Sequence, residues 1–303
     1  ARAQVAEAVG AKPAEVVFTS GATEAASVLA RLGGPVTVEP TAHDALWAQR
    51  REGGGGPSTC AMGLANSETG IVTFPAAKVG GRWATGEGEA DLLLLDVTQA
   101  VGRVPFSFAW SGADMAVMSA HKLGGPKGVG ALIVRDGLDV GTLLPGGGQE
   151  MGRRSGTQNV IGIAGFGAAA EAALRDLAEG VWDRVAQLRN ILEMSLVSGS
   201  KNIIFVGKDS RRLPNTSCFV YPGWKGETQV MTMDLAGFAV SAGSACSSGK
   251  VRASGVLRAM GFGEADAGSA IRVSLGPLTR EEDVLRFAEA WLTKERRHRE
   301  RAA

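Results

Sequence analysis

Three uninterrupted apolar runs most constrain the fold: Asp91-Leu-Leu-Leu-Leu-Asp96, Asp114-Met-Ala-Val-Met-Ser119 and Gly130-Ala-Leu-Ile-Val134. A strand with one wet face alternates apolar and polar residues. A strand without alternation is covered on both faces, as in a mainly parallel sheet with helices on each side. Val16-Val-Phe18 and Pro35-Val-Thr-Val-Glu39 read as further strands, with a helix from Thr23 to Leu32 between them, closed by Gly33-Gly34. The Gly130 run returns after a short Gly-rich turn and is expected to be antiparallel. These elements predict an α/β chain whose large domain spans residues 1–178. Residues 179–303 form a smaller α+β domain. The Ala-rich stretch Gly162–Leu177 is the expected connecting helix. Val181, Val185, Leu188 and Leu192 form one helical stripe, and Val284, Phe287, Ala288, Trp291 and Leu292 another, the latter opened by a capping box from Thr279 to Glu282. The final basic run from Lys294 reads as a solvated helix end. The chain opens already in helical rhythm, so a preceding segment is expected.

Composition removes several function classes. The 303 residues carry a formal charge of +1, which leaves no footprint for nucleic acid or an anionic membrane. No apolar run reaches the ~18 residues of a spanning helix. The three cysteines, at 60, 218 and 246, are odd in number and widely spaced, which suits a reducing compartment such as the cytoplasm. The histidines at 43, 121 and 298 have no metal-ligand spacing. The 43 glycines fall in clusters where backbone must approach something closely.

Cys60 and Cys218 lie in strand-like stretches and read as buried. Cys246 lies in Ser241-Ala-Gly-Ser-Ala-Cys246-Ser-Ser-Gly-Lys250, with no large apolar neighbour. That is the setting of a nucleophilic thiol. Gly243–Lys250 has the wrong spacing for a phosphate loop, and Val251 stands where that loop needs Ser or Thr.

Asp96 ends one strand and Lys122 follows the next. In open α/β sheets ligands collect at the carboxyl ends of strands. A carboxylate and an amine so placed suit pyridoxal 5′-phosphate, with lysine bonding the aldehyde and aspartate keeping the ring nitrogen protonated. The strand-to-helix turn Ser20-Gly21-Ala22-Thr23 can cradle the phosphate, and Ser119 and His121 can add donors.

These residues, in order, resemble one family. Phe18-Thr-Ser-Gly-Ala-Thr-Glu24, Asp96-Val-Thr-Gln99, Ser119-Ala-His-Lys122, Gly125-Pro-Lys-Gly128, Arg153-Arg-Ser-Gly-Thr157, the Cys246 loop and Ile271-Arg-Val-Ser-Leu-Gly276 are similar to the cysteine desulfurases. These belong to the class V aminotransferase, fold-type I pyridoxal-phosphate group. The long Gly-Ser-Ala-Cys loop resembles the branch serving iron–sulfur assembly and nitrogen fixation. The resemblance implies that Lys122 holds the cofactor and moves protons at the substrate α-carbon, and that His43 stacks on the ring. Asp96 would pair with the ring nitrogen and Gln99 with the ring hydroxyl. Ala22, Thr23, Ser119 and His121 would hold the phosphate, with Thr157 reaching that of a partner subunit in a homodimer. Arg272 and Asn66 would bind the carboxylate of L-cysteine. Cys246 would take the substrate sulfur as a persulfide for an acceptor or iron–sulfur scaffold protein. Ser67 stands where the family pattern Asn-Asn-Glu-Thr-Gly has its second asparagine. The resemblance implies that the family's N-terminal segment, which helps close the site, is expected to precede Ala1. The alternatives are a selenocysteine lyase or another lyase or aminotransferase on the same fold, and a non-catalytic scaffold that keeps it.

Overall fold

The computed structural model describes residues 1–75, 77–86, 88–243 and 253–302. The chain divides into two compact units: Ala1–Asn66 with Thr73–Glu179, and Ser67–Val72 with Gly180–Ala303.

The first unit is built on a six-stranded sheet among the described residues. Its strands are β1 (Val16–Thr19), β2 (Val36–Val38), β3 (Thr59–Gly63), β7 (Leu92–Asp96), β8 (Met115–Ser119) and β9 (Gly130–Val134), in the order β1-β9-β8-β7-β3-β2. The missing numbers belong to a separate antiparallel meander, β4 (Lys78–Val79), β5 (Arg82–Thr85) and β6 (Gly88–Ala90). Pairs β2/β3, β3/β7 and β7/β8 are parallel, while β9 runs antiparallel to both β8 and β1. Two reversals make β1 point the same way as β8. The apolar runs are buried as their lack of alternation requires: every residue of β8 and β9 is inaccessible. Val17, Leu29, Leu94, Val117 and Leu132 share one core.

The expected Thr23–Leu32 helix is shorter and tighter. It is α-helical over Ala22–Ala26 and continues as a 3-10 turn over Ser27–Ala30. The connecting helix spans Val160–Ala178. The meander is absent from the sequence reading. Its Lys78 and Arg82 strands are short and mostly polar; Trp83 is buried and donates from Nε1 to Asp114 Oδ2 at 2.9 Å, and Lys78 pairs with Asp114 Oδ1 at 3.3 Å. Asp114 is itself buried and accepts Leu93 N–H.

The second unit carries an antiparallel sheet of β10 (Ile204–Phe205), β11 (Thr216–Val220), β12 (Ser241–Ala242) and β13 (Ala270–Ser274), in the order β10-β11-β13-β12. The helices Val181–Gly199 and Glu281–Ala302 pack together, bringing Leu188, Leu192, Phe287 and Trp291 into one core with Phe219. Two sequence expectations fail here. Thr279 does not cap through Glu282; its Oγ1 accepts Gly276 N–H at 2.8 Å, and Asp283 accepts Arg280 N–H instead. The closing basic run is not wholly solvated. Glu295 is fully buried and accepts the Tyr221 hydroxyl at 2.6 Å, and His298 stacks on Trp224 at 5.0 Å, because both lie at helical spacing on the buried face that carries Trp291.

Candidate active site at the carboxyl edge of the large sheet

The register aligns the strand ends. Gly63, Asp96 and Val117 are consecutive partners across β3, β7 and β8, and Ser119, Gly130 and Thr19 are partners across β8, β9 and β1. The segments leaving β1, β2, β3, β7 and β8 therefore depart from one edge. They bring Ser20–Thr23, His43, Asn66, Asp96–Gln99 and Ser119–Lys122 to that edge, from chain positions about 100 residues apart.

The turn after β1 is held tightly. Ala22 N–H donates to Ser119 Oγ at 2.8 Å. Ser20 N–H donates to Glu24 Oε2 at 2.7 Å, and Glu24 is paired with Arg154 at 2.7 Å. Burial raises the Glu24 carboxyl, but the bonds from Arg154 and Ser20 outweigh it and hold the group below its ordinary range. The turn can sit this low only because Gly130 has no side chain: a Cβ there would lie 2.6 Å from Gly21 Cα and 2.5 Å from Met118 O. Thr23 is exposed and Ser119 buried.

Lys122 ends the 3-10 turn Ala120–Lys122 and is exposed, as is His121. Burial, then the charges of Lys122 and Lys127, lower the His121 imidazole from its ordinary value. Asp96 is half-buried. Its Oδ1 accepts Thr98 N–H at 2.9 Å, and among the described residues nothing bonds Oδ2. Thr98 Oγ1 beside it is buried without a hydrogen-bond partner. An open carboxylate oxygen and an orphaned hydroxyl, at the same strand edge as an amine and a set of phosphate-type donors, suit a polar aromatic ring with an anionic tail.

His43 heads the short helix Asp44–Trp47, and its Nδ1 accepts Ala45 N–H at 3.1 Å, which leaves the proton of the neutral ring on Nε2. Asn66 donates from Nδ2 to Thr41 O at 2.9 Å, tying the loop after β3 to the residues that lead into His43. Thr157 is exposed and lines a cavity of about 160 Å³ with Thr19, Ser20, Gly128 and Arg154. A larger cavity, about 740 Å³, is lined by Phe74, Trp83, Phe106 and Trp110 and contains none of the sequence-predicted site residues.

In the second unit, Arg272 lies on β13 opposite Cys218 of β11 and Ser241 of β12. It donates to Ser67 O at 2.7 Å and Ser241 Oγ at 3.2 Å, and its Nε is buried without a partner. Cys60 and Cys218 are buried as expected, and burial pushes the Cys218 thiol up to about 12. Cys246 lies outside the described residues, within 244–252. Among the described residues no cluster of His, Cys, Asp and Glu could hold a metal ion.

Two residues escaped the sequence reading. Thr98 sits inside the quoted Asp96–Gln99 motif. Arg103 donates from Nη1 to Gln99 O at 2.7 Å and from Nη2 to Lys122 O. Its spacing of four from Gln99 was the available signal.

The family model described as aminotransferase class-V matches residues 57–287. The cysteine desulfurase of Frankia sp. (strain EuIK1) is 39% identical over 95% of this chain and 78% of its own length. That of Cereibacter sphaeroides is 37% identical over 95% and 82%. Among solved structures, a NifS-like protein from Rickettsia africae superposes with TM-score 0.82 at 25% identity, covering 97% of this chain and 86% of that one. Another NifS-like protein gives 0.81 at 27% identity, with the same coverage.

Proposed function

This chain belongs to the class-V aminotransferase family and acts as a cysteine desulfurase, and we propose which of its residues carry the reaction. Pyridoxal 5′-phosphate, when bound, supplies the electron sink for cleavage beside an amino-acid α-carbon. Lys122 would hold it through its amine and would carry a proton at the substrate α-carbon. Asp96 keeps a proton on the ring nitrogen through its open Oδ2. Gln99 bonds the ring hydroxyl, and His43 covers the ring face. Ala22 and Thr23, at the turn after β1, with Ser119 and His121, would hold the phosphate. Arg272 binds the substrate carboxylate through its guanidinium fork, assisted by Asn66.

Cys246 then attacks the sulfur of L-cysteine as a thiolate. The substrate Cβ–S bond breaks, its electron pair goes to carbon, and that carbon takes up a proton. The products balance as L-alanine and a Cys246 persulfide, which an acceptor protein of the iron–sulfur scaffold kind takes up. The other two thiols suit this role poorly, since both lie in buried strands. We also assign the working form as a homodimer. Exposed Thr157 can reach a phosphate held by a second copy. The nearby Glu150 and Met151 hold φ of 52° and 57°, strain of the sort kept in functional segments.

The observation that most supports the reading is the shared strand edge of Ser20–Thr23, Asp96, Gln99, Ser119 and Lys122. The test is a pair of variants. Cys246→Ala is expected to retain the cofactor's visible absorbance and lose sulfide release from cysteine. Lys122→Ala is expected to lose both. Parental sulfide release by Cys246→Ala overturns the nucleophile. Undiminished absorbance in Lys122→Ala overturns the cofactor site.

A further inference from the structure

The stretch after β7 winds as a helical turn, with Ala100 and Val101 N–H bonded to Val97 O, and Arg103 and Val104 N–H to Ala100 O. Val97, Ala100, Val101 and Val104 are buried. The half-buried Asp96, Gln99 and Arg103 recur at intervals of three and four and share the other face. Gly102, at φ 76°, presses this turn onto the helix Val160–Ala178: a Cβ there would lie 2.7 Å from that of Ala173. The turn is thus fixed, and Arg103 projects from a rigid base.

Its guanidinium uses two separate nitrogens on two separate segments. Nη1 donates to Gln99 O at 2.7 Å and lies 3.5 Å from Gln99 Oε1, while Nη2 donates to Lys122 O. Burial pulls the group down to about 10, so the fold holds a cation where solvation is poor. A planar fork sends two separate nitrogens to the two main-chain carbonyls in fixed directions, where lysine has one nitrogen on a flexible stem.

We propose that Arg103 is a positioning residue, clamping the Lys122 turn to the Gln99 turn so that the amine and the ring-side amide meet one cofactor in register. This rests on the preceding assignment of Lys122 and Gln99. Arg103 itself touches neither substrate nor cofactor. Its effect is on the angle and hold of the ring.

The experiment titrates pyridoxal 5′-phosphate into cofactor-stripped full-length parent, Arg103→Lys and Arg103→Met. It reads the dissociation constant, the visible circular dichroism per bound cofactor, and the far-ultraviolet melt. Arg103→Met is expected to weaken retention about tenfold, in keeping with the loss of bonds from a charged donor, and to lower the visible dichroism while the cofactor-free melt still shows a folded protein. Arg103→Lys keeps the charge and loses the fork, so its retention should fall between the two. Parental retention and parental dichroism in folded Arg103→Met overturn the proposal. Should Arg103→Met not fold, Arg103→Lys decides: parental values in both readouts overturn the clamp, and values below the parent's in folded Arg103→Lys uphold it. A parent that takes up no cofactor, or a Lys122→Ala control that keeps the visible band, brings down the underlying assignment and the clamp with it.

Discussion

At the scale of single residues, the site is set by where polar atoms find partners. Ser119 Oγ takes the Ala22 N–H, so Ser119→Ala strands that donor beside a buried strand end. Its expected cost is about 1 kcal/mol of stability, read from denaturant midpoints. Glu24 is held below its ordinary range, so its contribution to stability is present above the unfolded carboxylate pKa. That contribution is lost as pH falls through the depressed folded value. Glu24→Gln should therefore flatten the acid limb of a stability–pH curve; an unchanged limb would refute the Glu24–Arg154 pairing as its source. The cysteines differ by burial. With the Cys218 thiol raised to about 12 and Cys60 inaccessible, iodoacetamide at pH 8 should label the folded protein at Cys246 before either of them, as peptide mass mapping can check.

At the scale of elements, the Ser20–Thr23 turn depends on how closely β9 passes under it. Gly130→Ala inserts a methyl group between Met118 O and Gly21 Cα. Strand and turn must part, at a cost of about 1–3 kcal/mol for overpacking. Cofactor retention should fall with it, and an unchanged melting temperature would show that the turn yields freely. The strands of this sheet were legible because double burial removes alternation from Leu92–Asp96, Met115–Ser119 and Gly130–Val134. The β4–β6 meander was not, because two- to four-residue strands of mixed polarity carry no periodicity. Its order comes from Trp83 reaching Asp114, 31 positions away.

At the scale of the molecule, the chain does not divide at a single point. Ser67–Val72 belongs with the second unit before the chain returns to the first at Thr73. The strap is held by Arg272 on Ser67 O, by Leu213 N–H on Gly70 O at 2.7 Å, and by Val72 N–H on Arg211 O at 2.8 Å. Ser254, the buried cap of the helix Gly255–Ala259, donates to Glu68. A fragment of residues 180–303 lacks this strap and should be less stable by roughly 2–4 kcal/mol, on about 1 kcal/mol for each lost bond. Amides of β11 should exchange faster in the fragment than in the full chain, and equal rates would show that the strap contributes nothing.

The chain's order of residues alone determined the strand types and the polar motifs at their ends, because burial on both faces and turn chemistry are local properties that leave local patterns. Asp96, Lys122 and the Ser20–Thr23 turn were legible for that reason. Tertiary structure decided the rest. Nothing in local spacing says that Arg103, four residues from Gln99, would also reach Lys122, or that Gly130 would make room for Gly21. Such contacts exist only after parallel strands distant in sequence have been brought into register, since hydrogen bonds and steric fit act over a few ångströms of space and are blind to distance along the chain.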